Sequence, residues 1–215
     1  MGNKSRSKLF TFEGIDGSGK STQADNLRYS LMDMGYAAPL YREPGGPGVG
    51  ATLRELLLSR EHNVTGNTRN MLYIASMVDL VDNELRDCSA DAAIVDRYIH
   101  STLAYGVLNN HIDVNDLWDI YSSVGIVPDY LPDRTFLLDM CPARAAERMA
   151  GKEPDQVEIR GLIFQEKVRT NYLNLADSCL YLHGGPSIMV VDADRDEDTI
   201  SGEILEEALR ILDSG

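Results

Sequence analysis

The sequence predicts an α/β fold, a parallel sheet with helices on both faces. Three observations carry that expectation. Short apolar runs of strand type alternate with helical patterns along the 215 residues. The first run leads directly into Gly14-Ile15-Asp16-Gly17-Ser18-Gly19-Lys20-Ser21, a G-x-x-x-x-G-K-[ST] loop, which needs a strand before it and a helix after it. A later run, Ala92-Ala93-Ile94-Val95, is apolar throughout and stops at Asp96, as a strand buried on both faces does.

Lys8 to Phe12 reads as the first strand. Ser21 to Met34, with Leu27, Leu31 and Met34 at helical spacing, reads as the first helix. The three loop glycines let the backbone curl so that its N–H groups converge on an anion, and the helix adds its positive end. Lys20 can then reach the β- and γ-phosphates of a nucleotide, and Ser21 can hold Mg²⁺. Gly35 ends the helix. Ala37 to Tyr41 is a short strand that breaks into Arg42-Glu43-Pro44-Gly45-Gly46. Arg42 thereby falls at the sheet's carboxyl edge, where ligands sit in open α/β sheets; a solvated loop cation is the competing reading.

Thr52 to Ser59 and Asn67 to Arg86 read as helices, the second with Met71, Leu72, Ile74, Ala75, Val78, Val81 and Leu85 mostly inward. Tyr73 and Met77 lie four apart on one helix face, a spacing that suits either a core or a ligand site. Asp96, at the end of the apolar run, is either a Walker B carboxylate facing Mg²⁺ or the N-cap of the next helix. Helices follow over Ser101 to Leu108 and Val114 to Val124, then a strand over Arg134 to Asp139 and a short helix over Ala143 to Ala150. The polar stretch Gly151-Lys152-Glu153-Pro154-Asp155-Gln156 reads as a loop able to act as a lid. A long helix from Glu158 to Leu182, a strand from Ser187 to Asp192 and a helix from Asp196 to Leu212 complete the pattern. No repeat or low-complexity linker interrupts it, so one domain over residues 1–215 is expected.

Composition narrows the partners. The net charge of −14 argues against a nucleic-acid surface and against an anionic membrane surface. A nucleotide enzyme can be acidic overall if a few cations focus on the phosphates. Cys88, Cys141 and Cys179 are odd in number and far apart, which suits reduced, buried thiols. No apolar run is long enough to span a membrane, and Met1 to Lys8 lacks a signal-peptide core. Met1-Gly2 is no myristoylation site, because Arg6 stands where Ser or Thr is needed. Asn63-Val64-Thr65 matters only to a secreted chain. A cytoplasmic protein is expected. His62 and His111 are expected at the surface.

Phe12-Glu13-Gly14-Ile15-Asp16-Gly17-Ser18-Gly19-Lys20-Ser21-Thr22-Gln23, Arg42-Glu43-Pro44-Gly45-Gly46 and Asp96-Arg97-Tyr98, with Ser101, Ala104 and Tyr105 beyond, resemble the thymidylate kinases over nearly the whole chain. The resemblance implies a five-stranded parallel sheet, a homodimer, and Mg²⁺-dependent transfer of the γ-phosphoryl of ATP to dTMP. It implies that Gly14, Ile15, Asp16, Gly17, Ser18, Gly19, Lys20, Ser21 and Thr22 bind ATP, with Ser21 and Asp96 on the metal. Asp16 would lie near the acceptor 3′-hydroxyl, Arg42 and Arg97 would clamp the acceptor phosphate, Tyr73 would stack on the base and Tyr105 would crowd the 2′ position. Ser101 and Thr102 would line the pyrimidine pocket.

The chain departs from the family pattern in three places. The family carries arginine either inside the P-loop or in the lid. The P-loop position here is Gly17, so the lid should supply it. Yet the lid, about residues 148–160, has Gln156 where an arginine is usual, leaving Lys152 as the central lid cation between Arg148 and Arg160. Met77 stands where the family carries a base-reading arginine, and Gly106 where some members carry glutamine. A kinase for another 5-substituted dUMP, such as 5-hydroxymethyl-dUMP, is therefore the first alternative. A P-loop ATP/GTP switch is the second. It lacks support, since the one Asn-Lys pair, Asn3-Lys4, precedes the loop and Arg42 and Arg97 would have no second phosphate to meet.

Overall fold

The computed structural model describes residues 6–46, 48–59, 61–62, 64–108, 112–150, 161–177 and 188–214. Along the chain run β1 (Lys8–Glu13), α1 (Lys20–Asp33), β2 (Leu40–Arg42), α2 (Val49–Leu58), α3 (Gly66–Leu80), β3 (Ala92–Asp96), α4 (Ile99–Gly106), α5 (Val114–Ser123), β4 (Arg134–Asp139), α6 (Pro142–Arg148), α7 (Gly161–Asp177), β5 (Ile188–Asp192) and α8 (Glu197–Asp213). The strands form one five-stranded sheet in the order β2-β3-β1-β4-β5, every pair parallel.

That order dictates where the helices go. The chain steps one way from β1 to β2 and the other way through β3, β4 and β5. Right-handed crossovers then put α1 on one face and α2 to α7 on the other. Packing follows suit: α8 lies against α1, while α4 packs on α7 and α3. Covered on both sides, the middle strands are largely apolar; β3 is buried at every residue. Phe12 sits in register with Phe136 of β4, ring centroids 5.2 Å apart. The neighbouring register pair is polar: the Thr11 and Thr135 hydroxyls are 2.8 Å apart, with His100 Nδ1 3.3 Å from Thr135 Oγ1.

Several boundaries shift for local reasons. The second strand begins at Leu40, not Ala37, because Pro39 has no N–H to give a ladder. Its carbonyl still accepts from Ile94 N at 2.9 Å. The long third helix ends as α-helix at Leu80 and continues over Val81–Leu85 as a π turn, with Arg86 N bonded to Val81 O at 2.9 Å. Its inward face is Asn70, Ile74, Ser76, Met77 and Leu80, so Met71 and Ala75, expected inside, face outward. Cys141 also departs from expectation. It is an exposed free thiol at the N-cap of α6, and Cys88 is half-buried. His62 is exposed as expected. Asn63, His111, Cys179 and the lid segment 151–160 lie outside the described residues. Among the described residues no helix is long and apolar enough to cross a membrane.

Candidate active site

β1, β3 and β2 are adjacent and parallel, so whatever follows them collects at one edge. Gly14 to Gly19 leave β1 there, Asp96 and Arg97 leave β3, and Arg42 ends β2. The glycine loop is shaped by close approaches. Gly14 has φ 142°, and a Cβ on it would lie 2.6 Å from Leu138 O. Gly17 has φ 81°, and its Cβ would lie 2.5 Å from Ala145 O of α6. The backbone of α6 thus occupies the space any side chain at position 17 would need.

The charged side chains form one network. Lys20 Nζ donates to Asp16 Oδ1 and to Ile15 O, each at 3.4 Å. Arg97 also donates to Asp16 Oδ1 through Nη2, and its Nη1 reaches Gly14 O and Ser101 Oγ, both at 3.1 Å. Burial alone would raise the Asp16 carboxyl, but the Arg97 and Lys20 charges outweigh it and hold it down at about 2. Burial, with Arg97 adding repulsion, lowers Lys20 from its ordinary value. Among the described residues Arg97 is the one non-glycine with positive φ, at 71°. That left-handed turn, where a residue with a Cβ is strained, brings its guanidinium back over the loop.

Ser21 Oγ donates to Asp96 Oδ2 at 2.5 Å, and Arg42 Nε donates to the same oxygen at 3.0 Å. Asp96 is 2 % exposed, and its other oxygen, Oδ1, is buried with no hydrogen-bond partner among the described residues. The N-cap alternative for Asp96 is not realised; Tyr98 holds that position on α4.

Two clefts meet on this network. One encloses about 750 Å³, counting its open mouth, and is walled by Arg42, Glu43, Pro44, Arg54, Leu58, Tyr73, Asp96, Arg97, Ser101, Thr102 and Tyr105. The other, about 1280 Å³, is walled by Gly17, Ser18, Gly19, Thr22, Gln23, Arg148, Met149, Arg195, Glu197 and Ile200. Asp16, Lys20 and Ser21 belong to both walls.

The expected acceptor residues Asp16, Arg42, Tyr73, Arg97, Ser101, Thr102 and Tyr105 therefore gather in one cleft. Met77 does not join them. It is 2 % exposed in the hydrophobic core, because the neighbouring turn of α3 packs inward while Tyr73 reaches the cleft. Lys152 lies outside the described residues. Ile15 sits behind the loop, 2 % exposed.

Sequence reasoning gave no role to Glu13, Tyr172, Arg54 and Arg195. Glu13 is fully buried and accepts from Tyr98 N at 2.8 Å, Ser101 N at 3.0 Å, Ser101 Oγ at 2.5 Å and Tyr172 OH at 2.9 Å. Burial raises its carboxyl, against the pull of Ser101, Arg97, Tyr98 and Tyr172. It ties the end of β1 to the start of α4 and so fixes Ser101 beside Arg97. A charged residue at the end of an apolar strand was the available signal. Tyr172 comes from α7, far along the chain, and had none.

The thymidylate kinase family model matches residues 12–204. The chain belongs to the thymidylate kinase family. It is 36 % identical over 210 residues to a thymidylate kinase of Thermosipho melanesiensis, covering 96 % of this chain and 98 % of that protein. It is 35 % identical over 214 residues to one of Exiguobacterium sp., covering 96 % of each chain. A third, from Pelodictyon phaeoclathratiforme, is 38 % identical over 181 residues, 78 % of this chain and 82 % of its own length.

Proposed function

We propose that this chain transfers the γ-phosphoryl group of ATP to dTMP, giving ADP and dTDP. The observation that carries this reading is the shared wall of the two clefts. A phosphoryl group passing between two nucleotides must cross a point reached from both sides, and Asp16, Lys20 and Ser21 stand at that point.

The loop residues Gly14 to Thr22 take the ATP phosphates, with the N-terminus of α1 directed at them. Lys20 neutralises charge as the bond to the leaving phosphate loosens. Arg42 and Arg97 hold the acceptor phosphate, offsetting the repulsion between two anions that must approach. Asp16 orients Arg97 and Lys20 and faces the acceptor sugar. Tyr73 stacks on the base, Ser101 and Thr102 line its pocket, and Tyr105 crowds the 2′ position. The Arg97 guanidinium lies 5.3 Å from the Tyr105 ring centroid, which fixes both. Lys152 is the proposed lid cation.

Ser21 and Asp96 fit Mg²⁺. Asp96 offers a buried oxygen, Oδ1, that has no hydrogen-bond partner among the described residues, and Ser21 Oγ lies beside its other oxygen. Held by these two residues, Mg²⁺ would supply charge neutralisation for the transferring phosphoryl group. The free thiols of Cys88 and Cys141 support a reducing, cytoplasmic setting for a single kinase domain that pairs as a homodimer.

A panel of nucleoside monophosphates tested for ATP- and Mg²⁺-dependent phosphorylation decides the matter. ADP formation that depends on dTMP is expected. ADP release at the same rate without any acceptor would overturn the reading.

A further inference from the structure

Four cations line the cleft that holds Tyr73, and three of them face a carboxylate. Lys20 and Arg97 are both bonded to Asp16, and Arg42 is bonded to Asp96. Arg54 is the exception. Its guanidinium makes one hydrogen bond among the described residues, from Nη1 to Pro44 O at 2.6 Å. A guanidinium carries five N–H donors, so most of its capacity is left for something else, while the tether holds its plane in place. Glu43 is influenced by its charge, and Glu43 Oε1 is itself buried without a hydrogen-bond partner among the described residues.

Position points to what Arg54 meets. It stands on α2 with Leu58, one turn on, also in the wall. Helix α2 packs on α3, which supplies Tyr73. The paired cations, in contrast, sit at the strand ends beside the glycine loop. Arg54 is therefore a cation on the helix that packs against the one carrying Tyr73, and among the described residues it is paired with neither Asp16 nor Asp96. A pyrimidine with a 4-oxo group presents an acceptor, and cytosine presents an amino donor at the same place. Only a donor distinguishes them by attraction. The hydroxyls of Tyr73, Ser101, Thr102 and Tyr105 are the neutral donors of this wall, and Ser101 Oγ already donates to Glu13. Helix α3 offers no charged donor at Met77, which is buried in the core, and α4 none at Gly106, where a Cβ would meet Leu117 Cδ1 at 2.9 Å and Asn70 Oδ1 at 3.3 Å.

We propose that Arg54 is a specificity-determining residue that donates a hydrogen bond to the 4-oxo group of the acceptor base. This rests on the reading of that cleft as the acceptor site. A charged donor to a ligand oxygen is worth roughly ten- to a hundredfold in affinity. The alternative is that Arg54 only braces the turn after β2 through Pro44 O.

The test compares kcat/KM for dTMP, 4-thio-dTMP and dCMP in the wild type, Arg54→Met and Arg54→Lys, with the KM for ATP measured alongside. 4-Thio-dTMP keeps N3–H and the methyl group but replaces the oxygen with a poorer acceptor. Arg54→Met should lose about ten- to a hundredfold toward dTMP, mostly in KM. It should lose much less toward 4-thio-dTMP and be less selective against dCMP, with the ATP KM unchanged. Arg54→Lys keeps a point charge without the fork and should fall between, so a poorly folding methionine variant leaves the comparison intact. Equal losses toward dTMP and 4-thio-dTMP, or no loss toward either, would overturn the inference. Tyr73→Ala separates the two readings: if it raises the dTMP KM while Arg54 variants do not discriminate, Arg54 alone is wrong. If it too leaves the KM unchanged, the cleft is not the acceptor site.

Discussion

Arg97 Nη2 donates to the same Asp16 oxygen that Lys20 Nζ meets at 3.4 Å. One carboxylate thus stands between two cations, at the junction of two clefts. Without phosphates nearby, it keeps the two positive groups from repelling one another. With phosphates at hand, each cation has a new anion on its own side, Lys20 toward the glycine loop and Arg97 toward Ser101.

That division of labour makes Arg97→Ala informative. It should lower kcat/KM for the acceptor about 10²–10³-fold. The dissociation constant for ATP should change by no more than about threefold, because Lys20 and the loop N–H groups remain. Steady-state kinetics with a parallel ATP titration measures both. Equal loss in the two would assign Arg97 to the donor side or to the fold.

On the donor side, Gly17 cannot carry a cation, since α6 fills the space. Arg148, at the end of α6, stands in the wall of the cleft proposed for ATP and is tethered by Nη2 to Ala193 O at 3.1 Å. Arg195 shares the wall but is bound to Glu203. Arg148→Ala should therefore cost about ten- to a hundredfold in kcat, with the acceptor KM little changed, as for a group acting on the transferring phosphoryl. A shift confined to the acceptor KM would refute this role.

His100 predicts an acid limb of stability. It is fully buried against Thr135, and burial lowers it from 6.5 to about 3. The unfolded chain binds this proton below pH 6.5 while the folded chain does not. Stability is therefore complete above pH 6.5 and is lost progressively as pH falls toward 3, by an upper bound of roughly 5 kcal/mol. Glu43 runs the other way. Burial raises it to about 8, so between its ordinary value of 4.5 and 8 the folded state holds a proton the unfolded one releases, and stability falls with rising pH. Urea midpoints of the wild type and His100→Asn between pH 4 and 7 isolate the histidine. The variant should show a flatter profile, whatever the packing cost adds at every pH. Parallel profiles would mean that His100 is not the source.

The strand ends were legible in the sequence because each announces itself locally. Asp96 and Arg97 follow an apolar run, Arg42 precedes Pro-Gly-Gly, and the glycine loop sits between strand and helix. Parallel pairing then brings them together without further information. What was not legible depends on packing between distant segments. Tyr172 reaches Glu13 across 159 positions, and nothing near it in α7 marks the contact. Arg54 lies in a helix whose pattern says only that one side is apolar. Met71 and Ala75 fit the helical period as well as the true inward residues do, and the buried polar pair Asn70 and Ser76 is what sets the rotation of α3. Ser76 donates to Glu43 Oε2 at 2.7 Å and accepts from Gly45 N at 3.3 Å, locking that helix to the turn after β2.

This rotation decides the effect of placing an arginine at position 77 on α3. The sequence alone allows Met77→Arg to recover a base-reading donor. The structure puts Met77 at 2 % exposure inside the core cluster, with its flexible thioether filling space there. An arginine at 77 would have to bury its charge or push its head past Tyr73 toward the cleft. Glu43 Oε1 has no partner among the described residues, but Glu43 is held by Ser76 and kept in its neutral form by burial, so it offers little compensation. A buried unpaired charge costs about 3 kcal/mol or more, which for a chain of this length lowers the melting midpoint by roughly 6–12 °C. Met77→Arg should therefore melt earlier and show no gain in kcat/KM for dTMP over dCMP. Met77→Leu, which conserves volume, should cost under about 1.5 kcal/mol and leave acceptor selectivity as it was. Calorimetry and the same substrate panel measure both variants. A stable arginine variant with sharper selectivity for dTMP would show that α3 can turn position 77 toward the base, and that the cleft closes around its acceptor in a different rotation from the one described.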